Sequence, residues 1–367
     1  MGNWVKIIFI CVFAIFALAF FSGERYARQS NITLPADAFL TGNQAPKVLS
    51  NSNQPISPVE LAAIESKVDP CVVAVEAETA SNNIWGNPVT NTLEGTGWIL
   101  DENGLIVTNN HVVEGATSVT VTLQNGKTYP AKSVRSDPID DLAVIDIGTG
   151  NLQALTMGDS STLMVGDVVM ALGNSLGKNI EATQGIINGT DLTFTAGSSE
   201  TLYNTIGTTV QTTDGFSGGP LVNMDGQIIG ISIGATLTPT GQEVTSYAIS
   251  INTAKPVIEE LIQQGYVTRA WLGTTVCNAN NFQAMGCGPS VDTGAFVIQI
   301  AADSPAHKAG LQAGDIITSF NSKVINTTDD LMQAVCSSSI GQQVAITFWR
   351  NGTRSTSDVT LIQNPEP

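Results

Sequence analysis

The sequence has little positive charge and few histidines or cysteines. Its 367 residues include 15 lysines and arginines against 32 aspartates and glutamates, a formal net charge of −17. Nucleic acid is therefore not an expected partner, because phosphate binding needs clustered basic side chains. There are two histidines, and neither lies near a pair of the five cysteines. The sequence predicts neither a metal site nor a cofactor.

Glycine, by contrast, is abundant, with 35 residues. Several glycines follow an asparagine or aspartate, at residues 103–104, 125–126, 225–226 and 351–352. Such pairs are typical of hairpin turns between short strands, so the pattern predicts a mainly β protein. A hydrophobic content of 42% is enough for buried cores, and the length predicts two or three domains.

A glycine-rich turn that contains one serine is the most informative stretch. It reads GFSGGP at residues 215–220 and runs into an apolar strand. Glycines allow unusual backbone angles, so a serine there can present its hydroxyl while main-chain N–H groups point to one place. Acyl transfer needs this combination of nucleophile and oxyanion hole. A glycine turn with an incidental serine is the alternative.

A histidine and an aspartate precede this serine. His111 follows the apolar run at residues 105–107, and Asp141 comes directly before a second apolar run. Asp137 and Asp140 compete with Asp141, although Asp137 precedes a proline and is typical of a turn. A capping histidine and a turn aspartate are the alternatives without catalysis. The order His, Asp, Ser on an all-β pattern favours a chymotrypsin-like site.

Five segments together resemble the HtrA family of serine proteases. They are GTGWIL at residues 95–100, TNNHVV at 108–113, DLAV at 141–144, ALGN at 171–174 and SGGPL at 217–221. The resemblance covers roughly residues 58–363 and is to the membrane-anchored DegS type with one PDZ domain. It implies a chymotrypsin-like double β-barrel protease domain at 58–266, with two six-stranded barrels, then an α+β PDZ domain at 267–363. It also implies a homotrimer.

The resemblance further implies roles for the candidate catalytic residues. His111 is expected to be the base, Asp141 the acid that orients it, and Ser217 the nucleophile. The main-chain N–H groups of Gly215 and Ser217 are expected to form the oxyanion hole. The function implied is that of an exported serine endopeptidase of protein quality control or regulated proteolysis, which cleaves unfolded or signalling proteins.

The S1 pocket is expected, by the same resemblance, to be lined by Thr212, Gly234 and Ala235. No aspartate falls at its base, so cleavage after lysine or arginine is not expected. Small or medium apolar residues are the expected P1 side chains.

Two residues before the nucleophile depart from the family pattern. Thr209 stands where an aspartate is usual, and Phe216 stands where an asparagine is usual. Phe216 leaves the oxyanion donors in place, because those are main-chain groups, but it alters how the turn can switch. The alternative function is therefore a latent or inactive protease that acts as a PDZ scaffold or chaperone.

Residues 1–23 are predicted to be a targeting segment. The apolar run at residues 7–21 is shorter than the ~20 residues that span a bilayer comfortably. ALA at residues 17–19 fits the cleavage site of a signal peptide, whereas the bulky phenylalanines after it favour an uncleaved transmembrane anchor, which we prefer. Both place the protein in the periplasm or on the exported side of the inner membrane. Residues 24–57 are predicted to be a flexible linker.

The stretch RAWLGT at residues 269–274 resembles the carboxylate-binding loop of PDZ domains. Main-chain N–H groups there would hold a peptide C-terminus while the peptide adds to the sheet as a strand. The residues expected to bind it are Trp271, Leu272, Gly273 and Thr274.

Four cysteines lie in the part of the chain predicted to be exported. Cys277 and Cys287 flank an Asn-rich insertion, and an oxidising compartment favours a local disulfide between them. Cys71 and Cys336 are predicted to be buried thiols.

Overall fold

The computed structural model describes residues 58–82, 88–174, 180–196, 200–237, 243–279 and 293–365. The predicted targeting segment and linker lie outside these residues, as does Cys287, so the Cys277–Cys287 disulfide stays a prediction. Within the described ranges, no helix has the length and apolar character needed to cross a membrane. The residues Ile56–Pro367 form one compact unit.

The first half of this unit begins with helix α1 (Pro58–Val68) and folds into a seven-stranded antiparallel sheet. The spatial order of its strands is β5-β4-β1-β2-β3-β7-β6. Their bounds are β1 (Val72–Asn82), β2 (Pro88–Ile99), β3 (Leu105–Thr108), β4 (Ala116–Leu123), β5 (Thr128–Pro130), β6 (Ser133–Asp137) and β7 (Leu142–Asp146). The prediction of six strands here is wrong, because the short β5 pairs with β4 at the edge. A one-turn helix, α2 (Asn110–Val113), follows β3.

The second half is a closed barrel of six strands in the order β10-β13-β12-β11-β8-β9, as predicted. Their bounds are β8 (Val168–Gly173), β9 (Glu181–Ala196), β10 (Glu200–Thr208), β11 (Pro220–Val222), β12 (Ile228–Leu237) and β13 (Glu243–Ser250). One of its core clusters combines Ile187, Ile206 and Leu221 with Phe216, which lies in the glycine-rich turn at residues 215–220.

Helix α3 (Ile251–Gln264) packs against the protease half. The Ser250 side chain accepts the N–H of Thr253 and caps the helix. The helix therefore begins at Ile251, five residues before Pro256, the predicted start. The helix ends as predicted at Gly265, whose φ of 89° places it in the left-handed region that favours glycine.

The C-terminal module is a sheet with short helices on it. Strands β14 (Ala270–Trp271) and β21 (Ile362–Gln363) pair with each other, and the larger sheet has the order β15-β16-β17-β19-β20, with β18 beside β17. The remaining bounds are β15 (Thr274–Asn278), β16 (Ala295–Ile300), β17 (Ile316–Phe320), β18 (Lys323–Val324), β19 (Gln343–Arg350), β20 (Thr353–Thr360), α4 (Pro305–Lys308) and α5 (Thr328–Cys336). The predicted start of α5 is confirmed, because Thr327 and Asp330 form a capping box.

The two thiols predicted to be buried differ in their surroundings. Cys71 is fully buried, as predicted, and burial raises its pKa to about 11. Cys336, at the end of α5, is only partly buried. Both positions keep the thiol protonated at neutral pH, because burial disfavours the thiolate and raises the pKa of Cys336 as well.

Asp69 provides a test of stability against pH. Its Oδ1 is buried with no hydrogen-bond partner among the described residues. Burial, and then the charge of Glu65, raises the pKa of Asp69 from 3.8 to about 6. The folded state therefore holds this proton more tightly than the unfolded state does. The resulting stability is present below about pH 4 and is lost as the pH rises to about 6.

We expect Asp69→Asn to raise the melting temperature by about 2 °C at pH 8 and to leave it unchanged at pH 4. Circular dichroism melts at both pH values measure this. Exposed Glu94, changed to glutamine, is the control and should show no such difference between the two pH values. An equal shift of the Asp69→Asn protein at pH 4 and pH 8 would contradict the explanation.

Candidate active site

The structure brings His111 and Asp141 together. His111 lies in α2, and its Nδ1 is 2.8 Å from Oδ2 of Asp141. The main-chain N–H of His111 donates to the other carboxylate oxygen at 2.9 Å. Asp141 has a positive φ of 50°, and the Asn109 side chain donates to its carbonyl at 2.9 Å. Of the three candidate aspartates, Asp141 is the one whose carboxylate contacts the imidazole.

Ser217 lies one residue after a 3-10 turn, Asp214–Phe216. Its hydroxyl donates to the carbonyl oxygen of Ile233 at 3.0 Å. Next to it, Gly218 has a φ of 83°, and a Cβ there would lie 2.2 Å from the hydroxyl oxygen of Thr108. Only glycine fits this approach. The glycine-rich turn at residues 215–220 is thus packed against Thr108 at the end of β3, three residues before His111.

The two departures from the family pattern have structural roles. Phe216 is 2% exposed, and its ring lies in the core of the second barrel. Gly173 makes room for it, because a Cβ at Gly173 would lie 2.7 Å from the ring. Thr209 accepts the main-chain N–H of Ile186 with its hydroxyl at 3.0 Å and so joins the end of β10 to β9.

Of the residues predicted for the S1 pocket, Thr212 lies in the segment after β10, and Gly234 and Ala235 lie within β12. The hydroxyl of Thr212 is 3.1 Å from that of Ser246, while Gly234 and Ala235 of β12 pair with β13. A Cβ on Gly234 would lie 3.6 Å from the ring of Phe194, which packs on Tyr247 with centroids 4.8 Å apart.

Sequence reasoning missed Ser246, Phe194 and Tyr247 in this region. Phe194 and Tyr247 are far apart along the chain, and no local motif marks either residue.

All four predicted peptide-binding residues of the PDZ module line one cavity of ≈ 600 Å³. Trp271, Leu272, Gly273 and Thr274 form one side, and Leu331 and Val335 of α5 are also in its lining. Residues Pro138 and Ile139, which precede Asp141, reach the same cavity. The groove is therefore lined by both halves of the compact unit.

An ion cluster at the edge of this cavity also joins the PDZ module to the loop before Asp141. Arg269 donates to the carboxylate of Asp137 through both Nη1 and Nη2, and the bond from Nη2 to Oδ2 is 2.7 Å. Its Nη2 also donates to the carboxylate of Asp140. The side chains of Arg269 and Asp137 are 12% and 6% exposed, and that of Asp140 is 31% exposed. Burial raises the pKa of Asp140, an effect that the Arg269 charge opposes.

We expect Arg269→Met to lower the free energy of unfolding by about 2 kcal/mol. It leaves the buried carboxylate of Asp137 without its cationic partner, although the main-chain N–H of Asp140 still donates to it. The figure is below that for a fully buried pair because Asp140 keeps solvent contact. Urea denaturation measures the loss. Arg354→Met, at an exposed position of β20, should change stability by less than about 0.5 kcal/mol. Equal losses in the two variants would contradict a specific role for the cluster.

The fold and the site define a trypsin-like serine peptidase that carries a PDZ domain. Family models for a trypsin-like peptidase domain and for a PDZ domain match residues 95–231 and 270–361. The chain is 36% identical over 323 residues to the serine protease Do-like HtrA of Bacillus subtilis (strain 168). The aligned region covers 82% of this chain and 72% of the relative. The chain therefore belongs to the HtrA family, and it is a serine endopeptidase.

Further relatives and solved structures agree with this. A probable periplasmic serine endoprotease DegP-like of Marinomonas sp. (strain MWYL1) is 36% identical over 271 residues, 74% of this chain. The chain spans 57% of the length of that relative. The HtrA-type protease AlgW with decapeptide matches with a TM-score of 0.64 and 29% identity, over 83% of this chain and 99% of that one. The serine endoprotease from Yersinia pestis gives a TM-score of 0.59 and 28% identity, over 85% and 99%.

Proposed function

We propose that Ser217 is the nucleophile, His111 the general base and Asp141 the acid that orients it. The observation that carries this proposal is the contact of 2.8 Å between His111 Nδ1 and Asp141 Oδ2. The position of Ser217 supports it, because a Cβ built on Gly95 would lie 2.7 Å from the Val112 side chain and 3.1 Å from the carbonyl oxygen of Ser217. The nucleophile turn thus adjoins the helix that carries the base.

In this mechanism His111 takes the hydroxyl proton of Ser217 on Nε2 as the oxygen attacks the substrate carbonyl. Asp141 holds the proton on Nδ1 and stabilises the imidazolium that forms. The N–H groups of Gly215 and Ser217 bind the oxyanion, and His111 then protonates the leaving amine. Water resolves the acyl-enzyme by the same route. Before attack, the Ser217 hydroxyl exchanges its bond to the Ile233 carbonyl for one to His111.

The substrates we propose are unfolded or signalling proteins, cleaved after small or medium apolar residues, with Thr212, Gly234 and Ala235 lining the S1 pocket. The PDZ groove at residues 271–274 binds peptide C-termini, and the names of the periplasmic relatives support an exported location. Residues 58–266 would form the protease domain and 267–363 the PDZ domain. A homotrimer and membrane attachment through residues 1–23 complete the proposal.

The bond from Ser217 to Ile233 also favours a second candidate, a latent protease that acts as a scaffold or chaperone until a peptide binds. In that form the Ser217 side chain adopts a rotamer from which its hydroxyl cannot attack the substrate. Occupation of the PDZ groove then shifts the turn towards the conformation that can.

Labelling of the full-length protein with a fluorophosphonate probe tests both candidates, with and without hydrophobic C-terminal peptides. Labelling without peptide, lost in Ser217→Ala, is the expected result and means a competent triad at rest. Labelling only with peptide means a latent protease gated through the PDZ domain. Folded protein that is not labelled in either condition would overturn the catalytic proposal and leave the scaffold.

A further inference from the structure

Thr96, in strand β2 of the first sheet, is fully buried, and its three polar groups are all bonded. Its N–H donates to the carbonyl of Ser217 at 2.8 Å, and its hydroxyl donates to the carbonyl of Gly215 at 2.6 Å. The same hydroxyl accepts the N–H of Asn174 at 2.7 Å. The carbonyl of Thr96 accepts the hydroxyl of Thr108 at 2.7 Å. One residue therefore connects the nucleophile turn, the end of β8 and the end of β3.

These bonds fix the direction of the peptide groups around the nucleophile. In a trans peptide the C=O and N–H point in opposite directions, so holding one sets the other. Thr96 holds the carbonyls of Gly215 and Ser217, and the N–H of Gly219 holds the carbonyl of Phe216 between them at 2.9 Å. The N–H of Ser217 belongs to the same peptide as the Phe216 carbonyl and therefore points away from Gly219.

We infer that Thr96 is a positioning residue for catalysis. It holds the two peptide groups on either side of the Phe216–Ser217 peptide, whose N–H is a proposed oxyanion donor, and so keeps the nucleophile in register with His111. The inference rests on the proposed role of Ser217. The hydroxyl of Thr108, three residues before His111, donates to the main-chain carbonyl of Thr96, so the segments that carry the base and the nucleophile are both bonded to this one residue. Thr96 touches no reacting atom, and its effect passes through the peptide groups 215–216 and 217–218, which flank the N–H of Ser217.

The test compares Thr96→Val, which keeps the shape and removes the hydroxyl, with Thr96→Ser, which keeps the hydroxyl. Loss of a direct oxyanion donor costs about 10²–10³ in kcat, so a residue acting through the turn should cost about 30-fold. We expect Thr96→Val to lower kcat by about 30-fold with KM within about twofold, and Thr96→Ser to keep at least about half of kcat. The assay uses an apolar-P1 peptide substrate at a temperature where every variant is folded.

Thr205→Val is the matched control, because Thr205 is also fully buried and bonds a main-chain carbonyl, that of Leu192, at 3.0 Å. Both valine variants should lose stability, and only Thr96→Val should lose kcat. Normal kcat in folded Thr96→Val, or equal losses in Thr96→Ser and Thr96→Val, would overturn the inference.

Failure of the proposed function would appear separately, as hydrolysis that persists in Ser217→Ala or is missing from the unaltered protein. Hydrogen exchange of residues 213–219 in the Ser217→Ala background tests Thr96 in that case, because it needs no activity. Exchange about tenfold faster after Thr96→Val, and unchanged after Thr205→Val, supports the positioning role. Equal rates in the two variants refute it.

Discussion

Replacing Asp141 by asparagine is expected to lower kcat by about 10⁴-fold while the protein stays folded. The carboxylate makes two bonds to His111, one to Nδ1 and one to the main-chain N–H. An asparagine amide can keep the bond from the main-chain N–H of His111 only by turning its NH₂ group towards Nδ1. That places the ring proton on Nε2, the nitrogen that we propose accepts the proton of Ser217. The imidazolium also loses the negative charge that stabilises it.

The measurement is kcat on a peptide substrate, together with a circular dichroism melt. Asp146→Asn is the control, because Asp146 ends the same strand, β7, and accepts the N–H of Gly148. Its kcat should stay within about twofold of the unaltered enzyme. If Asp141→Asn keeps more than a tenth of kcat, Asp141 does not orient the base, and Asp137 or Asp140 would return as candidates.

Phe216→Ala is expected to lower the free energy of unfolding by about 4 kcal/mol. The ring is 2% exposed in the second barrel core, where its removal leaves a cavity beside Gly173. Phe216→Leu should cost clearly less, because it fills part of the space. Because the ring ties the turn before Ser217 to the barrel, labelling by the fluorophosphonate probe should slow in Phe216→Ala as well.

A double-mutant cycle with Gly173→Ala isolates the contact. In the unaltered protein Gly173→Ala forces a methyl group to 2.7 Å from the ring and should destabilise the fold. In the Phe216→Ala background the same change meets empty space and should be nearly neutral. Additive losses in the two backgrounds would show that the ring and Gly173 do not pack as described.

The phenylalanine beside the nucleophile thus acquires a physical explanation. From the sequence it is a departure from the family pattern that favours altered switching of the turn. In the structure its ring is a core residue, and the glycine of ALGN provides the space. Moving the turn requires this packing to be broken, which costs free energy. The double-mutant cycle of Phe216→Ala and Gly173→Ala measures that cost.

Much of the fold follows from local signals. Glycine turns and short apolar runs predict a mainly β chain, and the segments at residues 95–100 and 217–221 predict the HtrA family, which the comparisons confirm. The capping box at Thr327 and the end of α3 at Gly265 are also readable, because capping depends on residues within one turn. The additional strand β5 is missed, because three residues at a sheet edge carry little pattern.

By itself, the sequence determined the family and the order of His111, Asp141 and Ser217 along the chain, and it predicted the residues of the PDZ loop. Tertiary structure alone decided that Asp141 contacts His111 while Asp137 and Asp140 bind Arg269. It alone decided that Thr96 holds a turn more than a hundred residues later in the chain. The physical reason is range: turns, caps and periodic patterns depend on neighbours in the chain, whereas a buried ion cluster or hydrogen-bond hub exists only once two sheets have packed.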